Sequence, residues 1–156
     1  MYEWHHYHMI DELRRDGHEV AYCNPVEKLG RFGTAGEYSD VVWTVARDMV
    51  RHGGCDLFFA TATDETLLPE AVREIRRLGI PAVNLSTDDM SVPFRVRKIG
   101  SSFDLLWTSV RDVNGLLRSY GAKTIVMPWA ANPHVFRPGA GPELPVIGFI
   151  GGGRLV

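Results

Sequence analysis

Apolar residues recur along this chain with two periods, and the alternation between the two predicts its architecture. Stripes spaced three and four residues apart, the period that gathers side chains on one helix face, run through Met9, Ile10 and Leu13; Val41, Val42, Val45, Ala46 and Met49; Leu67, Leu68, Ala71, Val72, Ile75 and Leu78; and Val110, Val113, Leu116, Leu117 and Tyr120. Between them lie short continuous apolar runs such as Asp56-Leu57-Phe58-Phe59-Ala60, which suit strands buried on both faces, and strands are predicted near 18–23, 56–60, 80–85, 104–108 and 124–127. One phrase joins the two kinds of segment: a helical stretch ends in charged residues and Gly, and a β-rich run follows. It occurs at Leu13-Arg14-Arg15-Asp16-Gly17-His18-Glu19-Val20, at Ile75-Arg76-Arg77-Leu78-Gly79-Ile80-Pro81-Ala82-Val83 and at Leu117-Arg118-Ser119-Tyr120-Gly121-Ala122-Lys123-Thr124-Ile125-Val126. Glycine accepts the left-handed conformation that follows a last helical turn, and Arg in that turn complements the helix dipole. Repeated transitions of this kind predict a doubly wound α/β domain, a mainly parallel sheet with helices on both faces. A helix over 2–16 opens the chain where such domains open with a strand, so the first strand is expected to be missing.

The pattern changes near the end. Pro128, Pro133 and Pro138 stiffen an exit segment, a Gly/Pro-rich stretch follows, and Val146-Ile147-Gly148-Phe149-Ile150 runs into Gly151-Gly152-Gly153-Arg154. A buried-type strand that enters a glycine-rich turn is how a nucleotide-binding α/β domain begins, because glycines let backbone N–H groups approach phosphate. The expected division is a domain over 1–138, a linker over 139–145, and over 146–156 the first strand and loop of a truncated second domain.

Composition narrows the partners. The 156 residues are 45% hydrophobic and 23% charged, ordinary for a folded domain, and 17 basic against 19 acidic residues leave a formal charge of −2 with no Lys/Arg run. Nucleic acid is therefore not expected as a partner. Cys23 and Cys55 are too few for a disulfide framework, no apolar run reaches membrane-spanning length, and the N-terminus lacks the pattern of a signal peptide, so a cytoplasmic protein is expected.

Candidate chemistry collects where strands end. Asp88-Asp89 follows Ile80-Pro81-Ala82-Val83-Asn84-Leu85, and two carboxylates at the carboxyl edge of a central strand can hold sugar hydroxyls, coordinate a cation, or act as a base. Ser86, Thr87, Asp88 and Asp89 can equally cap a helical stretch over 92–99. Thr63 and Asp64 stand in the same position after strand 56–60, able to meet a ligand or to cap the helix that follows. Asn132 and His134 lie in the exit segment, where a hinge role and a ligand contact are both open. His5, His6 and His8 with Asp11 and Glu12 lack a metal-binding spacing, and no metal is expected. Trp4, Trp43, Trp107 and Trp129 are read as packing residues or as anchors of a docking face.

Phe103-Asp104-Leu105-Leu106-Trp107-Thr108-Ser109, the helix ending Ser119-Tyr120-Gly121-Ala122, Ile125-Val126-Met127-Pro128-Trp129-Ala130-Ala131-Asn132-Pro133-His134-Val135-Phe136-Arg137-Pro138 and Val146-Ile147-Gly148-Phe149-Ile150-Gly151 resemble the interdomain region of GT-B glycosyltransferases. The likeness is strongest to the group 1 enzymes of the spore-maturation-protein type, in which an acidic pair like Asp88-Asp89 also precedes this block. It covers residues 80–151, and the first half follows only by fold pattern. The resemblance implies a Rossmann-like acceptor-side domain of an enzyme that transfers a sugar from a nucleotide-diphosphate sugar to a small-molecule, glycan or protein acceptor. It implies that Gly151, Gly152, Gly153 and Arg154 approach the donor phosphates, that no cofactor is bound obligatorily, and that these residues alone are inactive without the donor domain. The alternative expectation is a non-catalytic α/β binding module of the flavodoxin or receiver kind.

Overall fold

The computed structural model describes residues 5–130, 132–134 and 141. The expected donor-phosphate residues Gly151, Gly152, Gly153 and Arg154, the 139–145 linker except Gly141, the strand at 146–150, and Trp4 lie outside the described residues.

Four parallel strands form the sheet: β1 (Phe58–Ala60), β2 (Ala82–Ser86), β3 (Leu105–Thr108) and β4 (Thr124–Val126), in the spatial order β1-β2-β3-β4. Before them come a π-helical turn at His6–Ile10 that continues into α1 (Asp11–Arg15), then α2 (Pro25–Leu29) and α3 (Ala35–His52). The crossovers are α4 (Pro69–Arg77), a pair of 3₁₀ turns at Pro93–Val96 and Gly100–Ser102, and α5 (Asn114–Ser119). The expected α/β, Rossmann-like class is what the chain adopts. Its described strands all advance in one direction across the sheet, as one wing of a doubly wound sheet does.

Local chemistry explains where these elements start and stop. Thr34 caps α3 by accepting from the Glu37 N–H while the Glu37 carboxylate accepts from the Thr34 N–H, a reciprocal box that satisfies two free donors. Asn24 caps α2, whose first residue is Pro25. Gly17, Gly79 and Gly121, the glycines of the recurring phrase, take φ of 89°, 86° and 83°, a conformation that a Cβ makes costly.

Registry divides the sheet into two faces. Phe58 pairs with Ala82, Asn84 with Leu106 and Thr108 with Val126, so these share a face with Ala60, Ser86 and Thr124. On that face the core forms: Ala82 and Leu106 pack with Ala71 and Val72 of α4, Leu117 of α5, and Val96, Ile99 and Phe103 of the β2–β3 crossover. A second cluster of Ala46, Ile75 and Ile80 joins α3 to α4. The opposite face carries Phe59, Val83, Leu85, Leu105, Trp107 and Ile125. It is unevenly covered, with Leu85 1% exposed and Ile125 40%.

One predicted strand is absent. Residues 18–23 form neither helix nor strand, and four of the six are exposed. The apolar content that signals a strand becomes a strand only with a ladder beside it, and β1 pairs only with β2 among the described residues. The remaining strands fall within two residues of their expected limits.

Candidate functional site

All four strands are parallel, so their carboxyl ends lie along one edge, and the loops that follow β1, β2, β3 and β4 gather there. The N-terminus of α3 reaches the same edge, because the Ser39 Oγ in its second turn accepts from the Leu68 N–H at the start of α4, 2.9 Å away. Three polar clasps hold this edge together.

The first is Asn84, which is wholly buried. Its side-chain carbonyl accepts from the Ala62 N–H at 2.7 Å and its NH₂ donates to the Ala62 carbonyl at 3.0 Å. One amide thus takes the place of the ladder where β1 has ended and its chain turns away. A buried amide side chain is tolerated because each backbone group it meets would otherwise go unpaired.

The second is Asp64. Its carboxylate accepts from the backbone N–H of Ile99 at 2.9 Å and of Lys98 at 3.1 Å, and its own N–H donates to the Arg95 carbonyl at 2.7 Å. The loop after β1 is fixed in this way to the crossover after β2. Neighbouring Thr63 is engaged with Thr66, whose hydroxyl accepts from the Thr63 N–H at 2.8 Å. Both residues make loop contacts, and Asp64 caps the 98–99 turn rather than the helix that follows it in sequence.

The third clasp separates the two members of the acidic pair. Asp89 is 1% exposed, and its two oxygens accept one hydroxyl each, from Ser86 at the end of β2 and from Thr108 at the end of β3. The Thr108 oxygen accepts in turn from the Val110 N–H at 3.1 Å. Asp88 faces solvent with φ of 59°, the described non-glycine residue with a left-handed backbone. Its carbonyl accepts from the N–H groups of Ser91 at 2.9 Å and Val92 at 3.0 Å, which turns the chain so that Asp89 points inward and Asp88 outward. The expected cap of the 93–96 turn is not made by any side chain of this run.

The exit segment is clasped as well, to the first helical turns. Asn132 is 7% exposed, and its NH₂ donates to the Tyr7 carbonyl at 2.9 Å and to Glu12 Oε1 at 2.8 Å, while its oxygen accepts from the His134 N–H at 2.8 Å. The Asn132 donor holds the Glu12 carboxyl below its ordinary range, with Arg15 and His134 acting in the same direction. The exposed His134 imidazole lies 3.7 Å from Glu12. Upstream, Trp107 Nε1–H donates to the Met127 carbonyl at 2.8 Å, and the Trp107 and Trp129 rings are 6.1 Å apart.

Glu12 is thereby taken up by Asn132 and Arg15, and among the described residues no three His, Cys, Asp or Glu side chains come together as a metal site. Nothing in the sequence marks Asn84 as a clasp, and Ser86, a candidate cap by sequence, serves Asp89 instead, together with Thr108. A polar residue at an inward register of an apolar strand is the pattern that marks such clasp residues. No family model matches the chain, and no curated protein matches it either.

Proposed function

We propose that this domain is the acceptor-side half of a glycosyltransferase that moves a sugar from a nucleotide-diphosphate sugar to an acceptor hydroxyl, with a second α/β domain supplying the donor site. The observation that supports this reading most is the position of the exit. The chain leaves β4 through Met127-Pro128-Trp129 at the same sheet edge where the Asp88, Asp64 and Thr108 loops meet, so a domain attached there would close over that edge. The residues that make the exit are also those that resemble the interdomain block of GT-B enzymes.

In this reading the clasps have a mechanical task. Glycosyl transfer develops positive charge on the donor sugar, and the acceptor oxygen must be held in line while water is kept out. A loop edge whose polar groups are already paired reorganises little when a second domain closes. Asp88 is the exposed member of the acidic pair and takes the acceptor-hydroxyl contact, while buried Asp89 fixes the loop by way of Ser86 and Thr108. Gly151, Gly152, Gly153 and Arg154, outside the described residues, are assigned in this reading to the donor side.

Calorimetric titration of the full-length protein with a panel of nucleotide-diphosphate sugars tests the reading. One of them binds, and Asp88→Asn lowers turnover by about a hundredfold or more with donor affinity retained, the size of a lost general base. No heat with any donor overturns the assignment.

A further inference from the structure

The crossover after β2 presents a cationic surface whose side chains form no ion pair among the described residues. Val96 and Ile99 are buried, and a turn that buries every third residue directs the residues between them outward. Phe94 and Arg97 fall on one outward row and Arg95 and Lys98 on the other, and all four are exposed. Several helical arginines elsewhere face carboxylates, Arg15 with Glu12, Arg73 with Glu70 and Arg77 with Glu74, while Arg14 and Arg118 donate to the Val20 carbonyl and the Thr124 hydroxyl. Arg95, Arg97 and Lys98 form no ion pair among the described residues. The Asp64 carboxylate lies against the backbone of the turn, where its oxygens accept from the Lys98 and Ile99 N–H groups rather than pairing with a side chain of the turn.

Location gives this surface a meaning. The Arg95 carbonyl is bonded to Asp64 and the Arg95 N–H to the Val92 carbonyl, at the end of the turn that displays Asp88. Three cations thus stand on the loop next to the exposed carboxylate, at the edge assigned above to the acceptor. Phe94, 59% exposed, adds an apolar ring beside them.

We infer that the Phe94–Lys98 turn recognises a phosphate group carried by the acceptor. This rests on the acceptor-side reading and names the acceptor's chemical class. A phosphate monoester brings close to two negative charges and three acceptor oxygens, which match the donors of two guanidinium groups and an ammonium. The surface is small and local, in a chain of formal charge −2, which suits one anionic group rather than a polyanion.

The test is calorimetric titration of the full-length protein with inorganic phosphate, and separately its binding to phosphatidylglycerol vesicles. Phosphate binds saturably, and the Arg95→Gln, Arg97→Gln, Lys98→Gln triple variant loses about tenfold or more in affinity, as expected when charge-assisted hydrogen bonds go. Arg95→Lys with Arg97→Lys retains more affinity than the glutamine variant. Circular dichroism of the variants shows an unchanged fold, because all three side chains are exposed; if the triple variant does not fold, Arg97→Gln alone must weaken phosphate binding. Equal phosphate affinity in wild type and variant overturns the inference, as does an absence of saturable binding, or binding to the vesicles alone. Donor binding without phosphate binding removes only this inference. Phosphate binding without donor binding removes the transferase reading and leaves the anion surface standing.

Discussion

Single side chains at the strand ends decide how the loops are held, and Asn84 is the clearest case. Replacing it by Leu leaves the Ala62 N–H and carbonyl unpaired in a buried place, so the variant is expected to lose about 2–4 kcal/mol in urea unfolding. A change below about 0.5 kcal/mol would show that water or a loop shift satisfies those groups. Asp89 poses a related question, because its oxygens serve hydroxyls from two strands. Very little at this scale was legible in advance. In the sequence Asp88 and Asp89 form a pair, and the left-handed backbone at Asp88 is what sends one to solvent and the other to the interior. Thr63 and Asp64 stand at the edge as their place after β1 implies; the Thr66 hydroxyl that meets Thr63 is local, whereas the Lys98 and Ile99 N–H groups that meet Asp64 are more than thirty residues away and cannot be deduced from spacing.

Elements were far more readable, since periodicity and punctuation are local. The α3 stripe of Val42, Ala46 and Met49, the α4 stripe of Ala71, Val72 and Ile75, and the glycines at 17, 79 and 121 all describe what the chain does. Residues 18–23 have the side-chain content of a strand and form none, because β propensity reports that content, whereas a strand needs a neighbour. The α3 cap yields a measurable effect. Thr34→Ala is expected to cost about 1 kcal/mol of stability, seen as a lower urea midpoint. Glu37, its partner in the box, has its pKa lowered from 4.5 to about 2, chiefly by the Arg31 guanidinium and then by the Thr34 N–H. A depressed carboxyl stabilises above its unfolded pKa and loses that contribution as pH falls, so the cap weakens between about pH 4.5 and 2. Glu37→Gln should flatten stability over that interval, and an unchanged acid limb in the variant would contradict the assignment.

The whole molecule has one well-packed sheet face and one that thins toward β4. Leu85, on that second face but central, should behave as core, and Leu85→Ala is expected to cost about 2–5 kcal/mol. Ile125, on the same face at the edge, should tolerate Lys within about 0.5 kcal/mol. Equal losses at the two positions would mean that the β4 end of the face is covered. Class and strand direction at this scale followed from the helix-glycine-strand phrase, because right-handed crossovers leave few ways to join such units.

The clasp at Asn132 has a topological result. One carboxamide joins positions 120 and 125 residues apart in the chain, so the described polypeptide is closed into a loop by hydrogen bonds alone. A pull applied beyond His134 is therefore borne first by Tyr7 and Glu12, at the opposite terminus, before it reaches any strand.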